Sequence, residues 1–280
     1  MKIAVLSGKG GTGKTFVSVN LAASAASALY VDCDVEEPNG HLFFKPETVA
    51  STPVSKLLPV FDAAACNGCR QCLDFCRFNA LAYIGDAPMV FKDVCHSCGG
   101  CRLVCPRHAI AEEAVEIGHV EEGHHGSVAV ASGFLNIGEA SGIGIIAELL
   151  KKAEASEAAQ VVIDCPPGSA CSVVESVKDA DYCLLVAEPT IFGAHNFEMV
   201  AELTTVLQKP CGVVINKSMA DTAQMDRLCA EKKLPILARI PYDAETARLG
   251  AEGSIAVEHD AAMRALFETL WQRIEEEAKA

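Results

Sequence analysis

The sequence is short of positive charge and of long apolar runs. Its 280 residues carry 23 lysine and arginine residues against 37 aspartate and glutamate residues, a formal net charge of −14. We therefore expect neither a nucleic-acid backbone nor an anionic membrane as the main partner, because both reward clustered cations. No apolar stretch approaches the ~20 residues that span a bilayer.

The start of the sequence does not have the pattern of a secretory leader, so we expect none. The chain opens MKIAVLSGKGG, in which the apolar run ends after a few residues. We expect a cytoplasmic, reducing location, where clustered cysteines usually bind metal and seldom form disulfides. The chain has 14 cysteines, and eight of them lie between Cys66 and Cys105.

Half of the residues are hydrophobic, which is enough for a large core. Unbroken apolar runs alternate with stretches of helical pattern, which predicts an α/β fold with a mostly parallel, doubly wound sheet. The predicted strands are residues 2–7, 28–34, 160–164, 182–187, 212–215 and 236–240. The predicted helices are residues 16–28, 143–156, 193–207, 222–232 and 260–277.

A short internal repeat interrupts this alternation. CNGCRQCLDFCRFNAL, which starts at Cys66, is echoed by CHSCGGCRLVCPRHAI, which starts at Cys95, 29 residues later. A small repeat within a larger alternating pattern predicts an inserted domain. We expect a small α+β insertion over residues 61–120 within a domain formed by residues 1–60 and 121–280. The charged stretch 121–126 is typical of a solvated linker.

A phosphate-binding loop follows the first predicted strand. Residues 8–15 match G-x-x-x-x-G-K-[ST] between that strand and a helix. Glycines allow backbone N–H groups to surround phosphate oxygens, and the helix N-terminus adds positive potential. Lys14 is expected to reach the β- and γ-phosphates of ATP, and the Thr15 hydroxyl to bind Mg²⁺. The predicted nucleotide-binding residues of the loop are Gly8, Gly10, Gly11, Thr12, Gly13, Lys14 and Thr15.

A second lysine, Lys9, stands early in this loop, in the sequence KGGTGKT. With it, the sequence resembles the MinD/ParA/nitrogenase-iron-protein group of P-loop ATPases. The resemblance implies that Lys9 reaches across a dimer to the partner's phosphates and supplies positive charge in the transition state. It therefore implies a nucleotide-dependent homodimer, or a heterodimer with a related ATPase.

The same resemblance assigns roles at four strand ends. Asp34, in DCDVEEPN, is implied to position the attacking water, and Asp164, in DCPPG, to support Mg²⁺. Asn216, Pro241 and Asp243 are implied to hold the adenine. Taken one at a time, each of these residues could instead be a turn at a strand end, but together they fall in the order of the family.

The cysteine runs have the spacing x₂, x₂, x₃, and the module resembles bacterial two-cluster ferredoxins over its full length. Structural zinc is the alternative, because Cys-x₂-Cys pairs also bind zinc. In such ferredoxins the fourth cysteine of each run binds the other cluster. The resemblance thus implies one [4Fe–4S] cluster on Cys66, Cys69, Cys72 and Cys105 and a second on Cys95, Cys98, Cys101 and Cys76.

Two functions from different classes follow. One is an ATPase that couples a nucleotide-dependent dimer change to electron transfer with a redox partner. The other is an ATPase that assembles or carries clusters or metal cofactors for an acceptor protein. A spatial regulator like MinD is disfavoured, since the C-terminal LFETLWQRIEEEAKA is acidic. Cys171 follows Asp164 by seven residues, where the nitrogenase iron protein places a ligand, but we expect it to pack at a helix start.

Overall fold

The apolar runs of the sequence form the centre of a nine-stranded sheet in the computed structural model, which describes residues 1–85, 87–218 and 222–279. The strands are β1 (Lys2–Leu6), β2 (Ala28–Asp32), β3 (Glu47–Phe61), β4 (Leu81–Ile84), β5 (Ala87–Val90), β6 (Ile110–His125), β7 (Val128–Leu135), β8 (Gln160–Asp164), β9 (Tyr182–Ala187), β10 (Cys211–Ser218) and β11 (Ile236–Pro241). The helices are α1 (Lys14–Ser24), α2 (Gly40–Phe44), α3 (Gln71–Phe75), α4 (Gly100–Leu103), α5 (Ile143–Ala155), α6 (Cys171–Val177), α7 (Ile191–Val206), α8 (Ala223–Glu231), α9 (Ala244–Ala251), α10 (Ala256–His259) and α11 (Ala261–Glu277).

The strand order is β11-β10-β9-β1-β8-β2-β7-β6-β3. From β11 to β7 every neighbouring pair is parallel, whereas β6 and β3 are antiparallel additions at one edge. The mostly parallel α/β prediction is therefore confirmed, and all six predicted strands are present. The parallel strands bring β1, β2, β7 and β8 to a common carboxyl edge.

Helices cover both faces of the sheet. Along β1, Ala4 and Leu6 contribute to the core under α5 to α8, while Ile3 and Val5 contribute to the core under α1, α10 and α11. α11 buries its apolar face, and its Trp271 donates an indole N–H bond of 2.8 Å to the Leu21 carbonyl of α1. Among the described helices, none is both long and apolar enough to cross a membrane.

The antiparallel edge carries a projecting ribbon. β3 pairs with β6 from Glu47↔His124 to Phe61↔Ile110, but β6 pairs with β7 only from Gly118 onwards. Residues 55–61 and 110–116 thus form a two-stranded arm beyond the sheet. At ~3.3 Å per residue the arm is about 20 Å long. Because β6 is antiparallel to β7, the arm leaves from the carboxyl edge, on which β1 also ends.

The expected linker over residues 121–126 is wrong, because residues 121–125 are the last part of β6 and pair with both β3 and β7. Their charged side chains suit an edge where one face of the sheet is open to solvent. Between the two arm strands, residues 62–85 and 87–109 contain α3, α4 and the antiparallel β4–β5 hairpin. The cysteine repeat therefore lies at the tip of the arm.

Candidate functional site

The phosphate loop is held between β1 and α1 by close backbone contacts. A Cβ built at Gly8 would stand 1.9 Å from the Asn196 carbonyl oxygen of α7, so no side chain fits there. Gly13, the residue before α1, has φ of 88°, and its Cβ would meet Asn216 Nδ2 at 2.1 Å. Both positions require glycine, one for space and the other for space and backbone conformation.

Lys14 is buried at the start of α1 among carboxylates. Its Nζ is 2.6 Å from Asp164 Oδ1 and 3.6 Å from Asp34 Oδ2, and its side chain is 6% exposed. Burial is the largest single effect and lowers the pKa of Lys14, but the carboxylates of Asp164, Asp34 and Asp32 together raise it above its ordinary value. Lys14 is thus held as a cation at the start of α1, beside the loop.

Two further carboxylates complete this cluster. Burial raises the pKa of Asp34 to about 6, although Lys14 opposes the shift. Burial, followed by repulsion from Asp164, raises the pKa of Asp32. Asp32 accepts hydrogen bonds from the backbone N–H of Asp34 at 3.2 Å and of Gly40 at 2.9 Å, and so fixes the chain that follows β2.

Tyr30 is a site residue that sequence reasoning missed. Its hydroxyl donates a 2.9 Å hydrogen bond to Asp164 Oδ2, and the residue is fully buried. In the sequence Tyr30 is one apolar member of a strand. Its role depends on the β2–β8 register, in which Tyr30 lies two residues before Asp32, the partner of Asp164.

Two adjoining clefts open beside the loop. The first is lined by residues 9–15 of the loop, by Asp34 and by Pro167. The second is lined by the residues predicted to hold the adenine, namely Asn216, Pro241 and Asp243. Gly13, Phe16, Lys217 and Gly250 border both clefts. The predicted phosphate-binding and adenine-binding residues are therefore brought together along one continuous depression.

Side chains in the second cleft also stabilise the structure. Asn216 donates a 2.8 Å bond to the Thr12 carbonyl, and Lys217, which the sequence analysis did not select, donates a 2.7 Å bond to the Gly11 carbonyl. Asp243 caps α9 by accepting 2.9 Å bonds from the N–H groups of Glu245 and Thr246. These contacts attach the ends of β10 and β11 to the loop and to α9.

Lys9 lies at the open side of the first cleft. Its Nζ is 3.5 Å from Glu188 Oε2, with the two side chains 33% and 20% exposed. In this single chain Lys9 is therefore paired within its own subunit, close enough to solvent to exchange partners at little cost.

The eight cysteines of the repeat line two separate pockets. One pocket is bordered by Cys66, Cys69, Cys72 and Cys105. The other is bordered by Cys76, Cys95, Cys98 and Cys101. These are the two groups into which the sequence analysis divides them. Within the described part of the chain, no group of three or more His, Cys, Asp or Glu residues is placed to hold a metal ion.

The backbone around these pockets repeats as the sequence does. Six residues with φ between 49° and 71° fall in pairs that are 29 positions apart, and four of the six are not glycine. The left-handed region costs a non-glycine residue roughly 1–2 kcal/mol, so such residues persist where the surroundings enforce a tight curve. The pairs are Gly68 and Ser97, Arg70 and Gly99, and Asn79 and His108.

A sequence model of the CobQ/CobB/MinD/ParA nucleotide-binding domain matches residues 3–257 of this chain. The chain belongs to the CobQ/CobB/MinD/ParA family. The match includes the loop, both aspartate-bearing strand ends and the cysteine repeat between them.

Relatives of this family resemble the chain over most of its length. The uncharacterised protein MJ0578 of Methanocaldococcus jannaschii is 28% identical over 283 residues, which is 99% of this chain and 97% of that protein. The cell division ATPase MinD of Pyrococcus furiosus superposes with a TM-score of 0.61 at 19% identity, over 98% of both chains. The septum site-determining protein MinD of Pyrococcus horikoshii, complexed with Mg-ADP, gives 0.59 at 17% identity, over 96% of this chain and 93% of that one. The two superpositions establish the family fold.

Cys171 begins α6, as expected, but its side chain is exposed. The expectation that it packs at the helix start is therefore wrong. Cys183 and Cys229 are buried small residues, whereas Cys211 is half-buried, with its sulfur 3.4 Å from the Thr204 hydroxyl.

The buried pairing of Lys14 predicts a role in stability as well as in binding. Lys14→Met keeps the length of the side chain but leaves Asp164 and Asp32 without their cation, so we expect the free energy of unfolding to fall by about 3 kcal/mol in urea titrations. Lys9→Met, which removes the more exposed pair with Glu188, should cost less than about 1 kcal/mol. Equal losses in the two variants would contradict the assignment.

Proposed function

We propose that this CobQ/CobB/MinD/ParA-family protein hydrolyses ATP with Mg²⁺ and couples its nucleotide state to electron transfer through two [4Fe–4S] clusters. The observation that carries the proposal is spatial. The nucleotide cleft lies at the carboxyl edge of the sheet, and the arm that ends in the cysteine pockets leaves from the same edge.

The residues around the first cleft suit phosphoryl transfer to water. Loop N–H groups and Lys14 would bind the phosphates, and Thr15 together with Asp164 would hold Mg²⁺, which neutralises developing charge when it is bound. Asp34 stands 3.6 Å from Lys14 across the cleft, where its carboxylate can orient a water molecule toward the terminal phosphate. Lys9 would leave Glu188 and act on the nucleotide of a second subunit, either a second copy or a related ATPase.

The cysteine pockets fit iron–sulfur clusters by their donor set. Each pocket offers four thiols on a backbone whose left-handed turns repeat with the sequence. Thiolates in a single-ion zinc site stand ~3.8 Å apart, as a 2.3 Å Zn–S bond in a tetrahedron requires, whereas a cubane holds its four thiolates farther apart. The 3.3 Å bond from the Ala109 N–H to Cys105 Sγ is of the kind that adjusts a cluster's potential.

A short segment connects the cleft with the arm. The N–H of Leu135 donates to the carbonyl of Val35, the neighbour of Asp34, at 2.9 Å. The next N–H, of Asn136, donates to the Ile117 carbonyl at 2.9 Å, just below the arm. Glu139 then forms an ion pair with Lys56 of the arm, with 2.6 Å between Glu139 Oε2 and Lys56 Nζ, and both side chains are largely buried. We call residues 135–142 the bridge.

The bridge leaves little room for independent movement at the cleft. A Cβ at Gly142 would be 2.2 Å from Val35 Cγ2, so the end of the bridge packs tightly on the residue after Asp34. A shift of residues 34–35 on binding nucleotide would press on both ends of the bridge. The bridge would pass that shift to Lys56, and thereby to the arm that carries the cysteines.

Cluster content is the first test. Protein purified without oxygen should contain about eight iron and eight sulfide per chain. Cys105→Ser should damage the cluster that Cys66, Cys69 and Cys72 share and lower both numbers toward half, while Cys171→Ser, at an exposed cysteine outside the pockets, should leave them unchanged. Zinc in place of iron and sulfide would refute the clusters. Clusters that an iron chelator removes readily would favour the carrier function over electron transfer.

The trans action of Lys9 can be tested by mixing inactive variants. Lys9→Ala should bind ATP but lose nucleotide-dependent dimerisation and hydrolysis, with a rate loss on the order of 10³. Asp34→Ala should bind ATP, dimerise and hydrolyse it slowly. Mixed together, the two should recover part of the ATPase rate, because one site of a mixed dimer has an intact Asp34 and a donated Lys9. Mixed dimers without recovered activity would show that Lys9 does not act in trans.

Coupling through the bridge predicts that a variant of the Lys56–Glu139 contact loses the effect of ATP on the clusters. In the unaltered protein, adding ATP and Mg²⁺ should change the EPR spectrum of the reduced clusters. Lys56→Met should abolish that change while iron content and ATP affinity stay within about twofold, because the lost contact lies outside both sites. The exchanged pair Lys56→Glu with Glu139→Lys should restore it.

A matched control is available at the same antiparallel edge of the sheet. Lys152 of α5 forms a 2.7 Å ion pair with Glu122 of β6, away from the bridge. Lys152→Met should leave the effect of ATP on the EPR spectrum intact. If Lys56→Met responds to ATP as the unaltered protein does, the bridge does not transmit the nucleotide state.

A further inference from the structure

We infer that Tyr30 is a positioning residue for Asp164, which it keeps oriented toward the metal-binding side of the cleft after Lys14 has turned to the nucleotide. The inference rests on the proposed ATPase function, and it concerns a residue that does not itself line the first cleft but donates a hydrogen bond to Asp164.

The two oxygens of the Asp164 carboxylate have different partners. Oδ1 accepts from Lys14 Nζ at 2.6 Å, and Oδ2 accepts from the Tyr30 hydroxyl at 2.9 Å. The three side chains come from three separate elements, α1, β2 and β8. With both donors in place, the carboxylate has a single orientation.

Binding a nucleotide would remove one of the two donors to Asp164 and leave the other in place. The ammonium group of Lys14 stands at the end of a flexible side chain and would turn to the phosphates. Asp164 Oδ1 would then be free. Tyr30 would stay, because its ring is fixed by its surroundings: it packs on Phe44 with ring centroids 4.9 Å apart, and Gly40 lies so close that a Cβ would be 2.2 Å from the ring. Oδ2 would therefore remain anchored while Oδ1 faces the cleft.

Burial makes this anchor necessary. Asp164 is 0% exposed, so water cannot replace a missing donor, and Asp32 lies beside it in register. A buried carboxylate that loses one donor is destabilised, and it can rotate away from the orientation in which it binds a cation. Tyr30 would thus contribute to nucleotide binding only when a metal ion binds with the nucleotide, which separates its effect on binding from simple packing.

The test is Tyr30→Phe, which removes one oxygen and keeps the ring against Phe44 and Gly40. We measure the affinity of the full chain for a fluorescent ATP analogue, in EDTA and across a Mg²⁺ titration. In EDTA the variant should bind within about twofold of the unaltered protein. The Mg²⁺ concentration that gives half of the metal-dependent gain in affinity should rise about tenfold, the effect of one hydrogen bond to a charged group.

Tyr182→Phe is the matched control. Tyr182 is as deeply buried, on β9 of the same sheet, and its hydroxyl has no hydrogen-bond partner among the described residues. Its removal should leave the Mg²⁺ titration unchanged. An unchanged titration in Tyr30→Phe, or an equal loss of affinity with and without Mg²⁺, would overturn the inference. If the unaltered protein gains no affinity from Mg²⁺, the proposed function fails first.

A second measurement separates positioning from folding. The cost of Tyr30→Phe in unfolding free energy should disappear when Asp164→Ala has already removed the acceptor, because the hydroxyl acts through that carboxylate. The same cost in both backgrounds would assign Tyr30 to packing alone and overturn the inference.

Discussion

The rest of the site depends on the burial of one cation between carboxylates at the carboxyl edge of the sheet. In-register pairing of β2 with β8 places Asp32 directly beside Asp164. Two adjacent buried carboxylates repel each other, and Lys14, 2.6 Å from one of them, offsets that repulsion. The edge is therefore arranged around positive charge before any ligand arrives. When Lys14 turns to phosphate oxygens, a second cation must take its place, which is the physical reason for expecting metal and nucleotide to bind together.

The sequence predicts the parallel centre of the sheet and misses its edge, and the difference follows from burial. Strands covered on both faces are unbroken apolar runs, and the six strands predicted from such runs are all present. β7 reads VAVASGFL, whose small residues and glycine give a weaker signal, although it is a parallel strand. The sequence does not predict β3 and β6 as long strands, because most of β3 is exposed and its few buried positions are too short a run to give a clear alternating pattern. Residues 121–125 are charged for the same reason.

The residues of the candidate site also differ in whether the sequence predicts them. The loop and the aspartates are local in sequence, since backbone turns and strand ends place them, and motif reasoning finds them. Tyr30, Lys217 and Glu188 act through contacts with residues between 134 and 206 positions away, or across a loop, and no local pattern marks them. The cysteines are an intermediate case. Their division into two groups is what the ferredoxin resemblance implies, and the same groups line the two pockets.

The contacts at the base of the arm set the position of the cysteine pockets at its tip. A two-stranded hairpin is marginally stable on its own, so the direction of the arm depends on the contacts where it joins the sheet. At that junction the fixed contacts are the Asn136–Ile117 hydrogen bond and the Lys56–Glu139 ion pair, both made by the bridge. The bridge is itself held by Val35, next to Asp34. Because the arm is about 20 Å long, a rotation of a few degrees at its base moves the cysteine pockets by an ångström or more. In the function that we propose, small changes around Asp34 would thereby be enlarged at the tip, where electron transfer to a partner would depend most on distance.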